Sequence, residues 1–168
     1  VGDAARPLAG GSSGGAAGVH GDARRGPAEG RDRTVPLVVV GDYAWDVLIQ
    51  ANTELLAGGD IYGEVQLAPG GSAANTAVWA RRCGLPTRFI GKVGNDRFGR
   101  LAQEELVEED VGAVWLHSDT HHTGSVAVWI DHTGERSMVS GKGADHYLLP
   151  SEMPVQLLRR ARHVHLSA

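Results

Sequence analysis

Cysteine is nearly absent from this chain: one residue in 168, Cys83, which excludes an internal disulfide framework and suits the cytoplasm. Set in an Ala-rich stretch, Cys83 is expected to be a buried small hydrophobe. Aromatic residues make up only 5% of the chain, so the four tryptophans, Trp45, Trp79, Trp115 and Trp129, are read first as core. Basic residues are outnumbered, 16 Lys and Arg against 20 Asp and Glu, and no basic stripe offers a nucleic-acid footprint. No apolar run approaches the ~18 residues that would cross a bilayer, so a membrane partner is not expected.

Residues 1–36 are poor in anything that could build a core. They hold nine of the 24 glycines and only four aliphatics larger than Ala: Val1, Leu8, Val19 and Val35. Such a segment buries too little apolar surface to offset its ordering entropy, and it is expected to be a disordered Gly/Ala/Arg-rich tail. It also lacks an apolar stretch of signal-peptide length. Residues 37–168 are expected to form the folded part.

Several chemical signatures are missing as well. A phosphate-cradling loop needs Gly-x4-Gly-Lys-Ser/Thr, yet Pro86 stands five residues before Gly91-Lys92 and Val93 follows the lysine. Gly141-Lys142-Gly143-Ala144-Asp145-His146 begins like a dinucleotide fingerprint but carries His146 where the last glycine belongs. Eight histidines show neither His-Glu-x-x-His nor another metal-ligand pattern, so no metal site is expected.

What is present alternates. Leu37-Val38-Val39-Val40-Gly41-Asp42 reads as a parallel strand buried on both faces. Residues 47–51 and 61–67 read as further strands. A helix is expected from Ser72 to Cys83, stopped by Gly84 and Pro86, and a strand over 87–93. Asn95-Asp96 offers a cap for a helix over 97–109, in which Phe98, Leu101, Ala102 and Leu106 share a face. A short strand over 114–116 precedes two strands, 124–130 and 135–140, that flank a hairpin-like turn. A helix over 151–161 and a core strand over 163–167 close the pattern. Strands alternating with helices imply an α/β parallel sheet, and the hairpin is placed beside it as a small β flap.

Ligands in open α/β sheets sit beyond the carboxyl ends of the strands. Two stretches fall there: Gly41-Asp42-Tyr43-Ala44-Trp45-Asp46, and the run Gly70-Gly71-Ser72-Ala73-Ala74-Asn75-Thr76-Ala77. Adjacent glycines let the backbone approach a ligand, and Asn75 follows one turn into the helix. Asp46 accepts hydrogen bonds from vicinal hydroxyls and Asn75 both donates and accepts, a pairing that suits a polyol. The same residues read equally well as a turn cap and a satisfied helix amide. Trp45, beside Asp46, is a further candidate ligand contact.

The 70–77 block, then Gly84, then Phe89-Ile90-Gly91-Lys92-Val93-Gly94-Asn95-Asp96-Arg97-Phe98-Gly99, resembles the first signature of the ribokinase-like (PfkB) carbohydrate kinases. Val40-Gly41-Asp42 leading to Asp46, Thr123-Gly124, and Gly134-Glu135-Arg136 followed by Gly143-Ala144-Asp145 support it. The resemblance implies a ribokinase-like α/β three-layer sandwich, with a mainly parallel sheet and a β-sheet lid, truncated at its C-terminal side. It implies transfer of the ATP γ-phosphate to a sugar or nucleoside hydroxyl, with ATP and Mg as cofactors. Asp46 would bind substrate hydroxyls, Gly70 and Gly71 would pack under the sugar, and Asn75 would hydrogen-bond it. Trp45, Thr123 and Arg136 would add lid or substrate contacts. The family's catalytic aspartate sits in a Gly-Ala-Gly-Asp motif that this sequence does not contain, Gly143-Ala144-Asp145 being too early. The expectation is therefore an acceptor-binding half without a catalytic residue, inactive alone, that dimerises through the lid. A nucleoside acceptor, or a non-catalytic sugar-binding or oligomerisation remnant, are the alternatives.

Overall fold

The computed structural model describes residues 34–167. The expected disordered tail lies outside the described residues except for its last three positions, two of which, Val35 and Pro36, open the first strand.

Strands β1 (Val35–Gly41), β4 (Thr87–Gly94), β5 (Gly112–Ser118) and β8 (Ala161–Ser167) form a parallel sheet in the order β5-β4-β1-β8. β1 is apolar on both faces because both are covered. Val39, with Phe89 and Val93 of β4, packs beneath helices α1 (Ser72–Arg82) and α2 (Arg97–Glu108). Val38, Val40 and Ile90 point the other way, against Leu148, Met153, Leu157 and Leu158. The result is three layers, helix–sheet–helix. Burying each of these side chains contributes about 1.5–3 kcal/mol.

A second sheet stands apart, in the order β3-β2-β6-β7: β2 (Ala44–Ala51), β3 (Gly63–Gly70), β6 (Gly124–Ile130) and β7 (Arg136–Gly141). β2 pairs antiparallel with β3 and parallel with β6, and β6 pairs antiparallel with β7. The flap expected from one hairpin thus has four strands, and the two strands read over 47–51 and 61–67 belong to it. β2 reaches back to Ala44, so Trp45 and Asp46 stand on a strand rather than in a loop. β3 is displaced toward Pro69 and Gly70, the last of which meets the start of α1.

Other expectations need correction. The helix over 151–161 is broken: Pro150–Glu152 makes one short turn, Met153 is extended, and α3 spans only Val155–Arg159. Pro154 explains it, because a proline drives the residue before it away from the helical region. β8, read as a core strand that also leaves an unpaired edge near 163–167, is the edge of the sheet among the described residues, with Val164 and Leu166 exposed. Cys83 is exposed, since it caps α1 past the stripe facing the sheet. Trp79 is exposed too and lies beneath the Arg82 guanidinium, 5.2 Å from the ring centre. Among the described residues no helix is long and apolar enough to cross a membrane.

Candidate functional site

The chain leaves β1 at Gly41, turns through Asp42 and Tyr43, and enters the lid at Ala44. Asp42 fixes that turn. Its carboxylate accepts hydrogen bonds from the backbone N–H of Ser72 at 2.7 Å and Ala73 at 2.9 Å, the first two residues of α1. The first turn of α1 has no acid of its own, so a residue thirty positions away satisfies its free donors and positive end. Gly71 makes the joint possible: its φ is 98°, and a Cβ there would stand 2.7 Å from the Asp42 carbonyl oxygen.

Asp46 lies two residues along β2 and on the same face as Ala44. Its carboxylate covers Gly70, where a Cβ would come within 2.6 Å of Oδ2. Partial burial raises the Asp46 carboxyl above the usual carboxylate range. Asn75 is exposed on the first turn of α1, and with Gly70 it lines a cavity of about 190 Å³ between α1 and α2. Gly70 thus meets the Asp46 carboxylate and also lines the cavity that Asn75 lines. Of the four expected substrate residues, Asp46, Gly70 and Gly71 stand at the joint of lid, sheet and α1, and Asn75 stands exposed on the first turn of α1.

The three further lid candidates do not join them. Trp45 is buried, its Nε1 donating to the Phe98 carbonyl at 3.0 Å and its ring 5.9 Å from Tyr43. It is part of the core, as the plainer reading held. The Thr123 hydroxyl donates to Asp96 Oδ1 at 2.8 Å and accepts from Gly94 N–H at 3.1 Å. Asp96 also accepts from Thr123 N–H at 2.8 Å and from Gly99 N–H at 2.7 Å, capping α2 as expected. Thr123 thus ties the lid's β6 to the sheet. Arg136 is exposed in the row Gln50–Ile130–Arg136, four residues from the row of Asp46. At ~3.3 Å per residue that is about 13 Å away.

Two features were missed by the sequence reading. Lys92 is buried, and its Nζ donates to the Tyr147 carbonyl at 3.0 Å and to both oxygens of Glu152 at 2.7 and 2.9 Å. A buried ammonium needs such a partner, so a lysine inside an apolar strand was the available signal. The second is a cavity of about 450 Å³ at the carboxyl ends of β1 and β8, lined by Gly41, Asp42, Asp145, His146, Leu166 and Ser167. Among the described residues no group of three or more His, Cys, Asp or Glu stands together to hold a metal ion.

Residues 37–168 match the family model of the pfkB family carbohydrate kinases. A fructokinase of Escherichia coli is 36% identical over 119 residues, which covers 69% of this chain and 36% of that protein. The chain thus spans little more than a third of this relative's length. Ribokinase from Giardia lamblia superposes with a TM-score of 0.70 at 26% identity, over 79% of this chain and 41% of its own. A sugar kinase from Pyrococcus horikoshii solved in complex with ATP superposes with a TM-score of 0.67 at 26% identity, over 77% and 42%. This chain belongs to the pfkB family of carbohydrate kinases.

Proposed function

We propose that the chain supplies the acceptor side of an ATP-dependent carbohydrate kinase, binding a sugar whose hydroxyl is to be phosphorylated. The observation that carries the reading is the Asp46 carboxylate standing over Gly70, where the lid meets the start of α1. A carboxylate held partly out of water gains more from each sugar hydroxyl it accepts than an exposed one would. The bare glycine backbone lets a sugar ring lie close, and the lid covers it from water, which in a kinase suppresses transfer of phosphate to water.

The described residues do not fit ATP or magnesium. They have no loop of the Gly-x4-Gly-Lys pattern and no cluster of metal-ligating side chains. ATP and Mg therefore belong to the reading of the whole enzyme, and no step through them is assigned to residues of this chain. The reading places the protein in the cytoplasm and expects the 168 residues alone to be inactive. It also expects them to pair as a homodimer through the apolar outer face of the lid, where Leu67, Val47, Ala127 and Val139 share one row.

Sugar binding is tested by calorimetry with D-fructose, D-ribose and adenosine against the full chain, with Asp46→Asn as the control. Saturable binding of a sugar, weakened at least tenfold by that substitution, supports the reading. Selective binding of adenosine turns it to a nucleoside acceptor, and binding of none of the three overturns it. Sugar-dependent release of ADP by the purified chain would remove the claim of inactivity.

A further inference from the structure

Asp145 and His146 have no part in the function proposed above, yet they form a pair that stability alone does not explain. The Asp145 side chain is 8% exposed, and its Oδ2 lies 3.1 Å from Nδ1 of His146, whose side chain is 52% exposed. Oδ1 is buried with no hydrogen-bond partner among the described residues. An unpaired buried carboxyl oxygen costs more than an ion pair with a half-exposed partner returns. The pair opposes folding on balance, as functional groups often do. Burial pushes the Asp145 carboxyl above the usual carboxylate range; His146 pulls the other way, and the nearby Asp42 charge adds to the rise.

The arrangement is that of an acid orienting an imidazole. A carboxylate that accepts from Nδ1–H fixes the proton on that nitrogen and leaves the Nε2 lone pair free. Asp145 itself is closed off, since a Cβ at Gly124 or Gly143 would stand 2.9 or 2.7 Å from Oδ1. It can act only through His146. The turn that carries both residues, Ala144–Tyr147, is anchored on either side of the imidazole. Ala144 N–H donates to the His122 carbonyl at 2.7 Å, and His146 N–H to the Gly143 carbonyl at 3.2 Å. Tyr147 stacks on His121 with ring centres 3.6 Å apart, and Lys92 Nζ donates to the Tyr147 carbonyl. A half-exposed histidine held this firmly pays little ordering cost when a ligand arrives.

His146 lines the cavity of about 450 Å³ at the carboxyl ends of β1 and β8, together with Asp42, Asp145, Leu148, Leu166 and Ser167. β4 and β8 lie on opposite sides of β1, so the strand order switches there, the place where open α/β sheets bind ligands. The volume suits a small molecule. Two carboxylates in the wall disfavour an anion. His146 Nε2 and the Asp42 carboxylate accept hydrogen bonds, the Ser167 hydroxyl donates or accepts, and the two leucines offer an apolar flank. That lining matches a neutral molecule with several hydroxyls and a CH face, of the size of a monosaccharide. Asp46 does not line this cavity, so the site stands apart from the Asp46–Gly70 joint.

We infer that His146, oriented by Asp145, accepts a hydrogen bond from a hydroxyl of a neutral, monosaccharide-sized polyol in the β1–β8 cavity, at a site apart from Asp46. Nuclear magnetic resonance on the full chain with isotope-labelled histidine reads the Nε2 signal of His146, identified by its loss in His146→Phe. The probes are D-fructose, D-ribose and inorganic phosphate. One of the sugars should shift that signal saturably and phosphate should not. His146→Phe should bind the same sugar at this site at least tenfold more weakly by calorimetry. The shift should persist in Asp46→Asn, in which the binding event at Gly70 is lost. A sugar that binds by calorimetry without moving the His146 signal overturns the inference and leaves the acceptor-binding reading standing. Silence with every probe, a response to phosphate alone, or a shift that vanishes in Asp46→Asn overturns it as well. Asp145→Asn tests the orienting role, because losing the carboxylate should move the imidazole proton toward Nε2. An unchanged tautomer removes Asp145 from the inference. If circular dichroism shows Asp145→Asn unfolded, Asp145→Ser is read in the same way.

Discussion

The two sheets are built from strands of similar apolar content and end in opposite surroundings. In the parallel sheet Val38, Val39, Phe89, Ile90 and Val93 are fully buried. In the lid Val65, Leu67, Met138 and Val139 are all about half exposed or more. Connectivity explains the difference. Each crossover between parallel strands must lay a connection across the sheet, and here α1, α2 and α3 cover both faces. The lid's antiparallel pairs need only turns, so nothing in its own connections covers it. The parallel sheet is covered on both faces around β4 and β1 and stands bare along β8. The lid leaves the apolar side chains of β3 and β7 exposed among the described residues.

Phe89→Ala is the largest blow to that comparison. The ring is fully buried in β4 and lies 5.2 Å from Trp115. Truncation removes its transfer free energy and leaves a cavity, at a cost of about 3–5 kcal/mol. Urea unfolding should show a midpoint shift of that size or loss of cooperative folding. A cost below about 1 kcal/mol would mean that the parallel sheet is not the centre of stability.

Asp96 stands where the two sheets are joined, and Asp96→Ala should cost about 1–2 kcal/mol by removing a helix cap and leaving Thr123 and Gly99 donors unpaired. Burial works against ionisation there, but the bonds from Thr123 and Gly99, with His122 nearby, hold the Asp96 carboxyl below the usual range. Its folded value is lower than its unfolded one. The stabilisation is therefore present above the ordinary carboxylate range and is lost as pH falls through the depressed value. Thermal unfolding of protein and variant should converge in acid. Divergence there would deny Asp96 its role as the joint.

Asp46→Asn should act in the opposite sense. Burial raises this carboxyl in the folded state, so its stabilising contribution belongs to low pH and is lost as pH rises through the raised value. At neutral pH the asparagine variant should melt no lower than the unaltered protein while binding sugar at least tenfold more weakly. A variant that melts lower at neutral pH would show that Asp46 is a structural cap and not a functional group held at a cost.

How far the sequence could be read follows the same division. β1 and α2 were legible because their burial is set locally, by continuous apolar content in Val38-Val39-Val40 and by a cap followed by Ala102 and Leu106 at helical spacing. The second sheet was legible in part: the 124–140 hairpin pairs near neighbours in sequence, whereas the parallel pairing of β2 with β6 joins residues 80 positions apart and leaves no local trace. The distance of Arg136, on the lid's β7, from the row of Asp46, and the packing of Trp45 against Tyr43, follow from that long-range register and not from local sequence. Gly70, Gly71 and Asn75 were readable as a local glycine-to-helix turn. The packing of Asp42 and Asp145 was not, since the α1 N–H groups and Gly124 that they meet are remote in sequence.

The smallest expected effect is the sharpest on the lid. Val139 is 74% exposed on β7, so Val139→Ser removes little buried surface and should change the stability of the isolated chain by no more than about 0.5 kcal/mol. Its row partners Leu67, Val47 and Ala127 would still form an apolar stripe, now interrupted at one end. If a second copy covers that stripe, the serine must be desolvated in the dimer without a hydrogen-bond partner, so the penalty falls on association alone. Melting temperature measured across a hundredfold range of concentration separates the two cases. The unaltered chain should gain stability with concentration and Val139→Ser should gain less, whereas curves that stay parallel would show that the outer face of the lid has no partner in a second copy of this chain.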